Sequence, residues 1–203
     1  MPSASSPSRP ALVLATLNPA KGRELVALLG SVPFEIRMLA DIPGARLPDE
    51  TGTTYAENAL VKARTAAEIT GELALGDDSG LEVDALDGAP GLYTARFGGA
   101  GLDDRARWEL LLKRLDGVPA ARRTARFRCV IALAGPGRPE RVVEGVAAGV
   151  IAESPRGTRG FGYDPVFFYP PLGRTFGELS DEEKARVSHR GLALAAARQV
   201  LSG

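Results

Sequence analysis

One cysteine, one histidine and one tryptophan occur among the 203 residues. Cys129 cannot close an internal disulfide, which suits a reducing cytosol and a cytoplasmic protein. With Cys129 and His189 the only residues of their kinds, a metal site of clustered thiolates and imidazoles is excluded. Any metal must be held by oxygen ligands, which selects a hard cation such as magnesium. Charge bias is lacking too. Twenty-five basic residues balance 25 acidic ones, so no global field draws the chain to polymeric nucleic acid or a membrane surface. No run reaches transmembrane length, and no internal repeat is present. Met1 to Pro10, rich in Ser and Pro, has no apolar core segment and reads as a flexible leader rather than a signal peptide. The remaining residues, 11–203, suit a single domain with one substantial core.

What is present is concentrated in a few stretches. Leu73-Ala74-Leu75 runs into Gly76-Asp77-Asp78-Ser79-Gly80, an apolar run that stops at acidic and glycine residues. The pattern predicts a strand end opening into a loop. Taken alone it is an Asp-rich turn. Adjacent strand residues point to opposite faces, however, so Asp77 and Asp78 cannot serve one site equally.

Ala11 to Ala15 predicts a buried strand. Asn18 is a good N-cap and Pro19 fits the first helical position, so a helix follows with Lys21 in its first turn. A cation there opposes the helix dipole, so Lys21 is either a solvated lysine or one facing an anionic partner. The Walker A spacing is absent. Phe34 to Leu39 predicts a strand. Thr54 and Glu57 form a capping box for a helix that Gly71 closes. Its lean face carries Ala56, Leu60, Ala63 and Ala67, while Asn58 and Lys62 make a polar stripe of the usual solvated kind. Asp103 and Asp104 start a helix with a core stripe that includes Trp108. Residues 125–152 predict a long antiparallel pair turned at Gly135-Pro136-Gly137. Arg122, Arg123, Arg126 and Arg128 there form a solvated or subunit-facing patch, or else one that grips phosphates. Phe161 and Tyr163 offer ring faces within a glycine-rich stretch, with Asp164 as an acceptor. Val166 to Tyr169 is a strand stopped by two prolines. Ser180 caps a short helix reaching Lys184, and Ser188 caps a last one with His189 and Arg190 in its first turn. Alternating helices and strands around a hairpin predict an α/β fold with a mixed central sheet flanked by helices, in a two-lobed arrangement with a cleft.

Five stretches then fit one family together. They are Thr16-Leu17-Asn18-Pro19-Ala20-Lys21, Glu50-Thr51-Gly52 with Glu57-Asn58-Ala59, Asp77 to Leu81, Gly160-Phe161-Gly162-Tyr163-Asp164-Pro165, and Ser188-His189-Arg190. In this order the chain resembles the Ham1/inosine triphosphate pyrophosphatase family of non-standard purine nucleotide hydrolases, from about Leu12 onward. The resemblance implies hydrolysis of ITP, dITP and XTP to the monophosphate and pyrophosphate, with Mg2+, in a homodimer. It implies Asp78 as metal-binding general base and Glu50 as a second metal ligand. It places Thr16, Leu17, Asn18, Pro19, Ala20, Lys21 and Ser79 at the substrate, with Lys21 on the phosphates. Phe161, Gly162, Tyr163, Asp164, Lys184, His189 and Arg190 fall at the nucleoside end. Leu17 and Arg159 depart from the family pattern, and neither replaces a catalytic group. A Maf-like pyrophosphatase for another modified nucleotide, or a nucleotide-binding module without catalysis, are the alternatives.

Overall fold

The structure, a computed structural model, describes residues 9–202. Of the leader expected at residues 1–10, residues 1–8 lie outside the described residues, while the carbonyl of Pro10 accepts the N–H of Glu35 at 2.9 Å. Seven strands make one mixed sheet, ordered β2-β1-β3-β4-β5-β6-β7. They are β1 (Ala11–Leu14), β2 (Glu35–Met38), β3 (Leu73–Val83), β4 (Thr124–Ala134), β5 (Arg141–Ile151), β6 (Phe167–Tyr169) and β7 (Arg174–Thr175). The helices are α1 (Pro19–Leu29), α2 (Tyr55–Thr70), α3 (Asp104–Arg114), α4 (Asp181–Val187) and α5 (His189–Ser202). β1 is parallel to β2 and β3, and every later pairing is antiparallel.

Three buried clusters lie along β4, one of them formed by Val130, Ala132 and Ala134 against Tyr55, Ala59 and Ala63 of α2. Cys129, Ile131 and Leu133 pack with α1, α5 and β1, whereas Ala125 and Phe127 pack with Leu111, Leu115, Phe167 and Phe176. Phe127, in the last of these clusters, also lines a cavity. The Thr54–Glu57 capping box and the left-handed Gly71 bound α2 as the sequence predicts.

Two expectations are corrected. β3 does not end at Gly76; it runs unbroken to Val83, with Asp77 opposite Ile131 and Asp78 opposite Val130 on β4. The glycines that read as loop residues are close-approach positions instead. A Cβ on Gly76 would collide with the carbonyl oxygen of Ala59, and one on Gly80 with that of Gly91. The second correction concerns α2. Its buried face holds Tyr55, Ala59, Ala63 and Ala66, and it takes Asn58 and Lys62 inward with them. The polar stripe is not solvated, because β3 presents carboxylate and carbonyl oxygens that satisfy it.

Three of the four arginines of the patch are engaged within the chain. Arg126 donates to Glu82 at 2.7 Å and Asp84 at 3.1 Å, and Arg128 donates to Glu144 at 2.7 Å. Arg123 is buried and donates to the carbonyls of Val118, Leu115 and Ala152.

Candidate active site

The turn after β1 is built by its own side chains. Thr16 Oγ1 accepts the N–H of Asn18 at 3.1 Å, and Asn18 Oδ1 accepts those of Ala20 at 2.9 Å and Lys21 at 3.2 Å. The N-cap therefore satisfies the N–H groups of the first helical turn. Asn18 and Lys21 line the cavity, whereas Thr16, Leu17, Pro19 and Ala20 do not. Thr16 is buried beneath the turn and Leu17 is 45% exposed. The loop thus presents one cation, Lys21, whose Nζ lies 3.4 Å from Asp77 Oδ2.

Strand parity separates the two aspartates as the sequence implied. Asp77 faces α1 and α5, beside Lys21 and Arg190. Asp78 faces α2, where Oδ2 accepts the amide of Asn58 at 2.9 Å. Burial would raise Asp77, but Lys21, Arg190 and Lys62 outweigh it and hold its carboxyl down to about 2. Asp78 goes the other way: burial raises it more than Lys62 and Asn58 lower it. Glu50, from the loop before α2, joins Asp78 through the Lys62 ammonium. Lys62 Nζ pairs with Glu50 Oε1, stands 3.6 Å from Asp78 Oδ1 and donates to the Asp77 carbonyl at 2.9 Å. Burial raises Glu50 as well, yet Lys62 outweighs it and lowers the carboxyl overall.

The predicted pair of acidic metal ligands therefore converges on a single cationic centre. Among the described residues, no group of three or more His, Cys, Asp and Glu side chains could hold a metal ion. Glu50 and Asp78 are the two side chains here that could ligate a metal, so such an ion would need further oxygen ligands from outside the protein. A small octahedral cation that keeps several waters fits that donor set.

The other end of the cavity is built from β4, the loop before β6 and the starts of α4 and α5. Asp164 Oδ2 accepts the N–H of Phe161 at 2.9 Å and the ammonium of Lys184 at 2.7 Å, which fixes the glycine-flanked turn. The N–H of Gly162 donates to Asp104 Oδ2 at 2.7 Å, and Tyr163 Oη donates to the Thr94 carbonyl at 3.0 Å. These bonds aim the Phe161 ring toward the cations, with Lys184 Nζ 5.0 Å and the Arg190 guanidinium 5.7 Å from its centroid. Arg190 donates to Ser79 Oγ at 2.9 Å and to Glu24 at 2.5 Å. Asn18, Lys21, Ser79, Phe161, Gly162, Tyr163, Asp164, Lys184, His189 and Arg190 are all among the residues lining this cavity of about 220 Å³.

His189, although it starts α5, is not on the surface. It is 5% exposed, and its ring stacks on Phe127 with centroids 4.5 Å apart. Burial, then Arg190 and Lys184, push its pKa well below the ordinary 6.5, so the ring is neutral. His189→Ala is accordingly expected to cost about 2–4 kcal/mol of stability as well as altering selectivity. The folded pKa is depressed, so this residue's contribution is present above pH 6.5 and lost as pH falls through the folded value. Thermal melting of both proteins between pH 5 and 8 checks this; the variant should show the flatter low-pH limb.

Several residues at the site were not singled out as functional. Asn58 and Lys62 looked like a solvated stripe, although their spacing of four, next to Glu57, was the available signal. Glu24, which pairs with Arg190 and Lys184, carries no local mark beyond sharing a helical face with Lys21. Asp104, Arg107 and Thr94 reach the cavity only through tertiary folding.

Comparison with known proteins bears on this geometry. The Ham1 family model matches residues 12–200. A dITP/XTP pyrophosphatase of Desulforamulus reducens is 51% identical over 191 residues, 94% of this chain and 95% of that protein. One of Geobacter sulfurreducens is 53% identical over 184 residues, covering 91% and 92%. Among solved structures, a HAM1 protein from Coxiella burnetii superposes with a TM-score of 0.86 at 40% identity, covering 95% of this chain and 98% of that one. The nucleoside-triphosphatase / dITP/XTP pyrophosphatase of Mycobacterium abscessus gives 0.74 at 45% identity, covering 92% and 98%.

Proposed function

The chain belongs to the Ham1 family, and from that premise we propose that it hydrolyses dITP, ITP and XTP to the monophosphate and pyrophosphate. One observation carries the reading. The Glu50–Lys62–Asp78 centre adjoins, through Ser79, a cavity with a lysine at one end and a cation-flanked aromatic ring at the other.

In this reading the triphosphate lies toward Lys21 and the base toward Phe161. Asp78 orients a water against the α-phosphorus and accepts its proton, a task favoured by the burial that raises its carboxyl. Lys62 holds Asp78 and Glu50 side by side. Glu50 and Asp78 are the residues that would hold magnesium, which would draw charge off the phosphates. Lys21 stabilises the departing pyrophosphate.

Base choice follows from hydrogen-bond polarity. Hypoxanthine and xanthine carry oxygen at C6, where adenine has an amino group. Lys184 and Arg190 meet the oxygen as donors, while adenine would leave them facing another donor. Mismatches of that polar kind reach ~10⁴-fold discrimination. Neutral His189 supplies no charge to this recognition. We also propose a cytoplasmic homodimer; Val142 and Val146, exposed in one outward row of β5, support the association.

Pyrophosphate release with magnesium across dITP, ITP, XTP, GTP, ATP and dTTP tests the proposal. Turnover of the first three should exceed that of ATP by at least two orders of magnitude, on the order of the discrimination a polar site delivers. Equal ITP and ATP rates overturn it. Preference for dTTP would favour the Maf-like alternative, and ITP binding without pyrophosphate release would favour a binding module.

A further inference from the structure

Asp77 takes no part in the chemistry above, since its carboxylate lies on the strand face opposite Asp78. It is 2% exposed, yet its Oδ2 has no hydrogen-bond partner. Arg190 Nε is also buried and unpartnered, and it lies 3.6 Å from that same oxygen. Lys21 Nζ stands 3.4 Å away on the other side. One carboxylate is therefore shared, loosely, by two cations that serve opposite ends of the cavity.

From Arg190 the contacts continue toward the aromatic loop. Glu24 pairs with Arg190 at 2.5 Å and with Lys184 at 3.3 Å, and Lys184 reaches Asp164 at 2.7 Å. Asp164 in turn holds the N–H of Phe161. Charges alternate in sign along the whole path. Among the described residues, Lys21 joins it through Asp77 alone.

We propose that Asp77 is a positioning residue coupling the phosphate end of the cavity to the base end. A phosphate that draws Lys21 away releases Asp77 to close on Arg190 Nε. The two unpartnered atoms then form the hydrogen bond that 3.6 Å does not allow. That bond fixes the guanidinium for the base. By linkage, the base must tighten phosphate binding by the same factor. The proposal rests on the preceding assignment of phosphate and base to the two ends.

Calorimetric titration with inosine and pyrophosphate, in magnesium, reads the coupling directly because neither ligand spans both ends. Saturating pyrophosphate should tighten inosine binding about 5-fold or more in the unmodified protein. In Asp77→Asn that factor should fall to about 1, within the scatter of independent sites. A coupling factor unchanged in Asp77→Asn overturns the proposal. If that variant fails to fold, the Arg190 Nε–H resonance of the unmodified protein decides. It should shift when pyrophosphate alone is added, and a stationary resonance overturns the coupling. An unmodified protein that releases no pyrophosphate from ITP defeats the functional assignment itself. Unaltered coupling in an enzyme that does hydrolyse ITP defeats only the role of Asp77.

Discussion

Asp78→Asn is expected to abolish turnover, lowering kcat by ~10²–10⁴-fold, while the protein still folds. The substitution keeps the side chain's shape and removes its proton-accepting charge. Its local cost is calculable from the bonds present. Oδ2 accepts from Asn58 and Oδ1 from the N–H of Ser79, each at 2.9 Å. An asparagine can satisfy only one of these donors, because its amide nitrogen must face the other. An unsatisfied buried group costs about 1–3 kcal/mol. The loss is partly offset, since the native carboxylate already resists ionisation through burial. The variant should therefore melt cooperatively a few degrees lower, ~2–4 °C per kcal/mol for a chain of this size, while releasing almost no pyrophosphate from ITP. Near-normal turnover in a folded variant would remove Asp78 from the role of base. Unfolding would show that it is chiefly structural.

The split between Asp77 and Asp78 was legible in the sequence, and for a reason that outlived an error. The expectation of a loop after Gly76 was wrong, but the parity argument needs an extended backbone, and an uninterrupted β3 supplies it. Helix ends were equally legible. Asn18-Pro19, the Thr54–Glu57 box with Gly71, and Ser180 act through bonds within a few residues. What escaped the sequence depends on partners far along the chain. Gly76 resembles a loop glycine until α2 is seen to need its missing side chain. Lys62 resembles a surface residue until Glu50, Asp77 and Asp78 arrive around it. His189 reads as exposed because helix starts usually are, and nothing local announces that Phe127 will cover it. Burial of polar groups is set by long-range pairing, where propensity and periodicity say least.

That dependence makes Lys62→Met the second large effect. Methionine retains the unbranched stem within α2 and removes only the ammonium. Glu50 and Asp78 are then left together, and removing one partner of a buried ionic cluster costs about 3–5 kcal/mol. The melting temperature without divalent cation should fall by on the order of 10 °C. The pH dependence follows by sign. Lys62 is the main influence lowering Glu50, and it also lowers Asp78. Without it both folded carboxyls rise above their unfolded values, so the variant is least impaired in acid and loses stability as pH rises through those folded pKa values. A divalent cation that binds Glu50 and Asp78 replaces the missing charge. Magnesium at about 100 times its dissociation constant should restore about 2.7 kcal/mol. The unmodified protein, already neutralised there by Lys62, should gain less. Thermal melts of both proteins with and without magnesium decide the matter. A Lys62→Met variant that melts like the parent, or that magnesium does not stabilise further than the parent, would show that the two carboxylates do not form a joint cation site.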